Sequence, residues 1–67
     1  MKFYEALNQV DLGKRITLPV WENDYIQKQL DIVYKFSFIT IDGKTYDQKS
    51  FYTPTYLEMA ATDWEEV

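Results

Sequence analysis

Apolar residues near the start of the chain recur at the spacing of a helix. They occupy positions 3, 6, 7 and 10, which lie on one face of a helix with 3.6 residues per turn. Gly13 follows three residues later, and glycine commonly ends a helix because it adopts the left-handed conformation without strain. We therefore predict a short helix over residues 3–11.

The pattern then changes to that of a strand. Residues 14–18 alternate, with Ile16 and Leu18 on one face of the chain. Pro19 has no N–H to donate to a neighbouring strand, so this strand either ends there or lies at a sheet edge. The polar segment 21–25 is predicted as a loop that leads into a second strand.

The strongest strand signal covers residues 30–41, which are rich in β-branched and aromatic side chains. Alternation places large apolar residues on one face, namely Leu30, Ile32, Tyr34, Phe36 and Phe38. Asp42-Gly43 follows, and this pair favours a type I′ hairpin turn. The partner strand is predicted over residues 44–47, with Thr45 opposite Thr40.

Two helix-start signals occur near the C-terminus. Thr53-Pro54 is typical of an N-cap followed by proline at the first helical position. Thr55 with Glu58 matches a capping box, in which each side chain bonds the other residue's backbone N–H. Apolar residues then continue at helical spacing: Leu57, Ala60, Ala61 and Trp64. We predict a short helix that packs on the sheet with Trp64 as its anchor in the core.

The segments between and after these elements complete the predicted fold. Residues 48–52 are predicted as a polar connection, and residues 65–67 either add a last short strand or fray. The result is a single small α+β domain over residues 1–67. It consists of a small antiparallel sheet, an N-terminal helix and a short C-terminal helix packed on the sheet.

The length of the chain limits how it can be stabilised. A chain of 67 residues buries a small core, and domains of this size often add disulfides, a metal or subunit association. The sequence has no cysteine and no histidine, which excludes disulfides and leaves only oxygen ligands for a metal. We predict no metal site and no cofactor. Two Trp, six Tyr and four Phe suit a subunit interface, so we predict a homo-oligomer.

The charge and hydropathy of the chain restrict its partners. Seven Lys and Arg against eleven Asp and Glu give a net charge of −4, which disfavours binding to duplex nucleic acid. No apolar run approaches the roughly 20 residues needed to cross a bilayer. No signal-peptide apolar segment follows Met1. We expect a soluble cytoplasmic protein with no membrane partner.

The sequence offers little for catalysis. Without histidine or cysteine, a serine nucleophile would need lysine or a carboxylate as its base, and the only serines are Ser37 and Ser50. The acidic residues are spread along turns and solvent-facing positions. We therefore predict that the protein is not an enzyme and assign no catalytic residue.

Two features could instead bind a ligand. Lys14-Arg15 is the only adjacent basic pair, and a guanidinium suits phosphate, although the pair could simply face solvent. Trp21 could stack on a base, a contact worth about 1–3 kcal/mol, or could be a core or interface residue. Six residues of straight strand span about 20 Å, so Arg15 and Trp21 of one subunit cannot hold one small ligand unless Pro19 bends the chain. A pocket between subunits is the better hypothesis.

The two ends of the chain resemble a known family. The first segment has a helix, a Gly-Lys turn, a basic strand and a tryptophan, and the second has a short helix that leads into Asp-Trp-Glu. The residues concerned are Phe3, Ala6, Leu7, 12–16 and Trp21, then 53–55, Leu57, Ala60, 63–65 and Val67. This pattern, over roughly half of the chain, resembles the small phage-encoded Thoeris anti-defense 2 family.

The resemblance implies a non-enzymatic sponge in the host cytoplasm. Members of the family bind a cyclic nucleotide-derived immune signal, a cyclic ADP-ribose relative, and hold it without cleaving it, in pockets between the subunits of an oligomer. The implied ligand-binding roles are stacking on the base by Trp21 or Tyr25, phosphate binding by Lys14 and Arg15, and ribose binding by Thr55 or Asp63. Asp63 could also be a turn residue that bonds backbone amides.

Two other classes of function remain open. A small acidic phage protein could bind and inhibit a host protein through exposed aromatic anchors. An acidic surface could also mimic DNA, although −4 is a modest charge for that task.

Overall fold

The computed structural model describes all 67 residues, which form a five-stranded antiparallel sheet and two helices. The elements are α1 Phe3–Asp11, β1 Ile16–Thr17, β2 Tyr25–Gln29, β3 Ile32–Ile41, β4 Lys44–Phe51, α2 Tyr56–Ala60 and β5 Glu65–Glu66, with a 3-10 turn at Pro19–Trp21. The strand order is β4-β3-β2-β1-β5. This confirms the predicted α+β class. Neither helix has the length and apolar character required to cross a membrane.

Helix α1 has the predicted bounds and the predicted end. The N–H of Gly13 donates to the carbonyl of Val10 at 2.9 Å, and the N–H of Lys14 donates to Gln9 at 3.2 Å. These two bonds form a Schellman motif, which requires a left-handed residue at its turn. Gly13 has φ +86°, so glycine is needed here for its backbone and not for packing.

Strand β1 is shorter than predicted. Only residues 16–17 pair as a strand, because the Lys14 N–H is used by the end of α1 and Pro19 begins the 3-10 turn. Ile16 lies opposite Ile26 of β2 on one side and Glu66 of β5 on the other. The final residues therefore do add a short strand, one of the two outcomes considered from the sequence.

The predicted strand start at Leu30 is wrong. Leu30 and Asp31 form the two-residue turn between β2 and β3, with φ values of 50° and 66°. Two consecutive positive φ values are characteristic of a type I′ turn, which usually contains Asn or Gly. The sequence pattern missed this turn because leucine rarely adopts the left-handed conformation. Leu30 is consequently 94% exposed and does not share the strand face assigned to it.

The β3–β4 hairpin has the predicted turn and register but a longer second strand. Asp42 and Gly43 both have positive φ, and Thr40 lies opposite Thr45 as predicted. Strand β4 then continues to Phe51, so the prediction of a polar connection over 48–52 is wrong for most of that segment. Its residues pair with positions 34–41 of β3, the last eight of the ten residues in that strand.

The two faces of the sheet have different surroundings. Helix α1 packs on the face that carries Ile16 and Ile26. No helix covers the opposite face. We call it the aromatic face, and its large side chains are Tyr25, Tyr34, Phe36, Phe38 and Phe51. Alternation predicted which residues of β3 share a face but not which face the helices would cover.

The C-terminal helix differs from its prediction in extent and packing. It begins after Thr55, whose capping box with Glu58 is confirmed, and not at Pro54. It ends at Ala60, so Trp64 lies beyond it. Leu57 is 81% exposed, and α2 lies against α1. The apolar residues that suggested a longer buried helix therefore lie partly in α2 and partly beyond its end at Ala60.

The core is small and is closed by Trp64. The buried residues are Ala6, Val10, Ile16, Leu18, Ile26 and Trp64. The N–H of Trp64 donates to the Met1 carbonyl at 3.1 Å, and its indole N–H donates to the Glu58 carbonyl at 3.1 Å. Trp64 therefore joins both ends of the chain to the core, and its prediction as a core residue is confirmed.

Candidate functional site

A cleft of about 230 Å³ lies between the 3-10 turn and the C-terminal segment. Its apolar part is formed by Leu18, Val20, Trp21, Leu57 and Ala61, and its polar groups belong to Thr55, Glu58 and Asp63. Three of these residues, Trp21, Thr55 and Asp63, were predicted as ligand-binding residues. The fold brings them together from segments more than thirty positions apart in the sequence.

Trp21 is held in place by the core and by aromatic neighbours. Pro19 starts the 3-10 turn, which bends the chain after β1 and turns Trp21 towards the helix side of the sheet. Its ring centroid lies 5.1 Å from that of Trp64 and 6.1 Å from that of Tyr52, both in edge-to-face arrangements. Such arrangements are favourable for aromatic pairs, so the cleft wall at Trp21 is fixed.

Thr55 and Glu58 form the polar end of the cleft and also cap α2. The Glu58 N–H donates to the Thr55 hydroxyl at 3.2 Å, and the Thr55 N–H donates to the Glu58 carboxylate at 3.1 Å. The same carboxylate oxygen accepts a bond from the Tyr52 hydroxyl at 3.1 Å. The Thr55 hydroxyl accepts the capping bond, which leaves its own proton free for a ligand.

The pKa of the Tyr52 phenol is affected by its burial and by the neighbouring Glu58. Burial, and secondly the negative charge and hydrogen bond of Glu58, raise the pKa of Tyr52 above its ordinary value. Both causes favour the neutral phenol. Tyr52 therefore stays a hydrogen-bond donor to Glu58 and fixes the orientation of that carboxylate beside the cleft.

Asp63 contributes the second carboxylate of the cleft. The residue is exposed and its side chain makes no hydrogen bond or ion pair within the chain. The alternative interpretation, a turn residue that bonds backbone amides, therefore has no support in the structure. A carboxylate with free acceptor positions at the edge of a cleft can accept bonds from ligand hydroxyls or amines.

The other predicted residues lie elsewhere. The Lys14 ammonium is 3.4 Å from the Glu66 carboxylate, in an ion pair at the edge of the sheet. The Arg15 guanidinium lies over the ring of Tyr25, 5.0 Å from its centroid, on the aromatic face. Tyr25 itself stacks on Phe36. Within one chain, the predicted base, ribose and phosphate contacts therefore fall on two sides of the sheet.

Two larger clefts contain none of the predicted residues. One, of about 300 Å³, lies between the start of α1 and the end of α2 and includes Lys2 and Thr62. The other, of about 440 Å³, lies between Asn23 and the β3–β4 hairpin at Thr40 and Thr45. No group of three or more Asp and Glu residues is arranged to hold a metal ion.

The comparison with family models covers the whole chain. A model described as the Thoeris anti-defense 2-like domain matches residues 1–67. The chain belongs to this family. The match includes the middle segment, which lies outside the two terminal segments that carry the sequence resemblance. Membership of a Thoeris anti-defense 2-like family supports a phage anti-defense role. No curated protein and no solved structure matches the chain.

Sequence reasoning missed one residue that lines the cleft, Glu58, and one that contacts its wall, Lys35. Glu58 was identified only as part of a capping box, although that motif already placed its carboxylate beside Thr55. Lys35 alternates with the large apolar residues of β3 and so lies on the other face of the strand, where its ammonium is 4.3 Å from the centroid of the Trp21 ring. No local sequence signal links Lys35 to Trp21, because the contact depends on the register of β2 with β3.

Proposed function

We propose that this protein is a non-enzymatic phage counter-defence protein that binds and sequesters a cyclic nucleotide-derived immune signal of the cyclic ADP-ribose type. The observation that carries the proposal is the cleft in which Trp21, Thr55 and Asp63 meet. An indole suits a base, and a hydroxyl with a carboxylate suits a ribose diol. Membership of the Thoeris anti-defense 2-like family supports the same role.

The chemistry of the cleft favours holding a ligand over converting it. Glu58 already accepts bonds from Tyr52 and from the Thr55 backbone, so its carboxylate is committed to structure. Asp63 is the only other titratable group in the lining. A single free carboxylate lacks the partner that general acid–base catalysis of ring opening would use.

The size of the cleft supports a pocket completed by a second copy. Pockets for drug-sized ligands are typically about 300–1,000 Å³, whereas this cleft is about 230 Å³. Its rim carries Val20 and Leu57, which are about four-fifths exposed. Apolar side chains at the rim of a small cleft are suited to contact with another protein surface. The proposed binding site is therefore an intersubunit pocket.

The aromatic face is the surface that we propose for part of this association. Tyr25 stacks on Phe36 at a centroid distance of 5.0 Å, and Tyr34 stacks on Phe51 at 5.5 Å. Phe51 remains 72% exposed. A chain with six buried residues gains stability by covering such a surface, because apolar area removed from water is the main favourable term.

Retention and release of a signal test the proposal directly. The protein is incubated with cyclic ADP-ribose, passed over a filter that retains protein, washed and then denatured by heat. We expect release of chemically unchanged ligand in a fixed ratio to protein. Recovery of a hydrolysed product would instead indicate an enzyme, and absence of retention for a panel of cyclic nucleotide signals would contradict the sponge.

Association is tested by light scattering at several protein concentrations. We expect a mass that is a multiple of the 8.1 kDa chain. Phe36→Glu, which places a charge on the aromatic face, should lower that mass, whereas Tyr56→Glu on the exposed side of α2 should not. A wild-type mass of one chain with full ligand retention would contradict the intersubunit pocket.

Exposed apolar residues on the β3–β4 hairpin favour a second candidate, inhibition of a host protein. Ile39, Ile41 and Tyr46 are each more than a third exposed, and they lie near the free end of the hairpin. Such residues are typical anchors at protein interfaces. A stable complex with one host protein, together with no retention of nucleotide signals, would favour this candidate.

A further inference from the structure

The polar groups of the cleft do not balance the charge of a phosphorylated ligand. Glu58 and Asp63 are both acidic, and no lysine or arginine is among the lining residues. A phosphate held next to two carboxylates requires a nearby cation, because the repulsion between like charges is strong where water is partly excluded. The predicted cation, Arg15, lies on the opposite face of the sheet in the same chain.

Lys35 is the cation that the fold places against the cleft wall. It lies in the middle of β3, opposite Ile26 of β2 and Ser50 of β4, and it is half-buried. Its ammonium is 4.3 Å from the centroid of the Trp21 ring, which lines the cleft. Of the ion pairs and cation–ring contacts in the structure, this is the only one that involves a lining residue of the cleft.

Lys35 also lacks an anionic partner within the chain. The three ion pairs of the structure use Lys14 and Lys28, and no carboxylate oxygen lies within 4.0 Å of the Lys35 ammonium. A half-buried ammonium without a carboxylate is poorly compensated, and contact with an aromatic ring replaces only part of the lost hydration. The charge is therefore available to an anion that enters beside Trp21.

We propose that Lys35 binds a phosphate group of the ligand at the Trp21 side of the cleft. The inference rests on the proposed function, since it assumes that a nucleotide-derived ligand occupies the cleft. Lysine has a flexible four-carbon stem and three donors, so its ammonium can leave the ring and bond phosphate oxygens.

Charge-removing variants of Lys35 test this role against a matched control. Lys35→Met keeps the length of the side chain and removes the charge, whereas Lys35→Arg keeps the charge. Lys44→Met makes the same change at an exposed lysine that lies opposite Ile41 at the start of β4, outside both the cleft lining and the aromatic face. Lys35→Gln replaces Lys35→Met if thermal unfolding shows that the methionine variant does not fold.

Binding is measured by calorimetry with two probes, cyclic ADP-ribose, which has phosphates, and adenosine, which has none. We expect Lys35→Met to lower the affinity for cyclic ADP-ribose about tenfold, because charge-assisted bonds to phosphate are strong. Adenosine affinity should not fall, and Lys35→Arg and Lys44→Met should resemble the wild type. The wild-type affinity for cyclic ADP-ribose should also decrease with salt more steeply than that of Lys35→Met.

The outcomes separate this inference from the function on which it rests. If the wild type binds cyclic ADP-ribose and Lys35→Met binds it equally well, Lys35 is not a phosphate ligand and the proposed function stands. An equal loss with Lys44→Met would show that only the overall charge matters and would also overturn the inference. If the wild type binds neither probe, the proposed function fails first, and the role of Lys35 fails with it.

Discussion

The indole rings of Trp21 and Trp64 meet edge to face, with centroids 5.1 Å apart and planes at 89°. Trp64 is a buried core residue, while Trp21 lines the cleft. Phe3 of α1 also packs against Trp64, and their ring centroids are 5.7 Å apart. The wall of the proposed binding site therefore rests directly on the residue that joins both ends of the chain to the core.

Trp64→Ala should lower the free energy of unfolding by about 3–5 kcal/mol, the usual cost of removing a buried aromatic side chain. The residue is 2% exposed and loses both its packing and its indole bond to Glu58. Urea denaturation followed by circular dichroism measures the change. Tyr56→Ala, at a position that is 83% exposed, is the control and should change stability little. A loss below about 1 kcal/mol for Trp64→Ala would contradict the packing described.

Short sequence motifs predicted the end of α1 and the β3–β4 turn because their residues adopt the positive φ values that these turns require. Gly13 ends α1 through its positive φ, and Asp42-Gly43 sets the hairpin register through two positive φ values. The Leu30-Asp31 turn could not be predicted in this way, since leucine is not typical of the first position of a type I′ turn. Exposure of the aromatic face could not be predicted either, because alternation defines two faces of β3 without identifying the buried one.

Three of the residues that line the candidate site were predicted, but their meeting in one cleft depends on tertiary structure. Thr55 and Asp63 were assigned through the family resemblance, and Trp21 was also singled out as an aromatic residue that could stack on a base. The ends of the chain meet because β5 pairs with β1. Arg15 was expected near the ligand but follows the strand alternation to the aromatic face. Lys35 was missed because its contact with Trp21 arises only from tertiary structure.

Leu30→Asn should raise the free energy of unfolding by up to about 1 kcal/mol. Leu30 has φ 50° and is 94% exposed, so the leucine side chain has backbone strain without compensating burial. Asparagine accepts the left-handed conformation, which costs other residues about 1–2 kcal/mol. Thermal unfolding compares the variant with Gln29→Asn, a neighbouring change on the strand that should not stabilise. A lower melting temperature for Leu30→Asn would contradict a strained turn.

The contribution of Tyr52 to the stability of the fold should disappear at high pH. Its pKa is raised in the folded protein, first by burial and then by Glu58, so the folded state keeps the phenol neutral when the unfolded chain begins to ionise. The stabilisation is complete below the unfolded pKa of about 10 and is lost as the pH rises above it. Urea unfolding at pH 8 and pH 11 should show a larger loss for the wild type than for Tyr52→Phe. Equal losses would mean that Tyr52 titrates normally.

Asp63→Asn should weaken ligand retention about tenfold without changing stability. The Asp63 carboxylate makes no bond within the chain, so its removal costs the fold nothing, whereas a charged acceptor bonds ligand hydroxyls strongly. Asp47→Asn on β4 makes the same change at an exposed residue outside the cleft and serves as the control. Retention of cyclic ADP-ribose and the melting temperature are measured for both. Unchanged retention would remove Asp63 from the site.

Arg15→Ala should weaken retention only if a second copy supplies the guanidinium. Within one chain Arg15 lies over Tyr25 on the face away from the cleft, so it cannot contact a ligand bound beside Trp21. We expect a loss of retention at normal stability, and we expect Lys14→Ala to lose less, because Lys14 is paired with Glu66. Equal retention by Arg15→Ala and the wild type, in a protein that still associates, would place Arg15 outside the pocket. Phosphate binding would then depend on residues on the Trp21 side of the sheet.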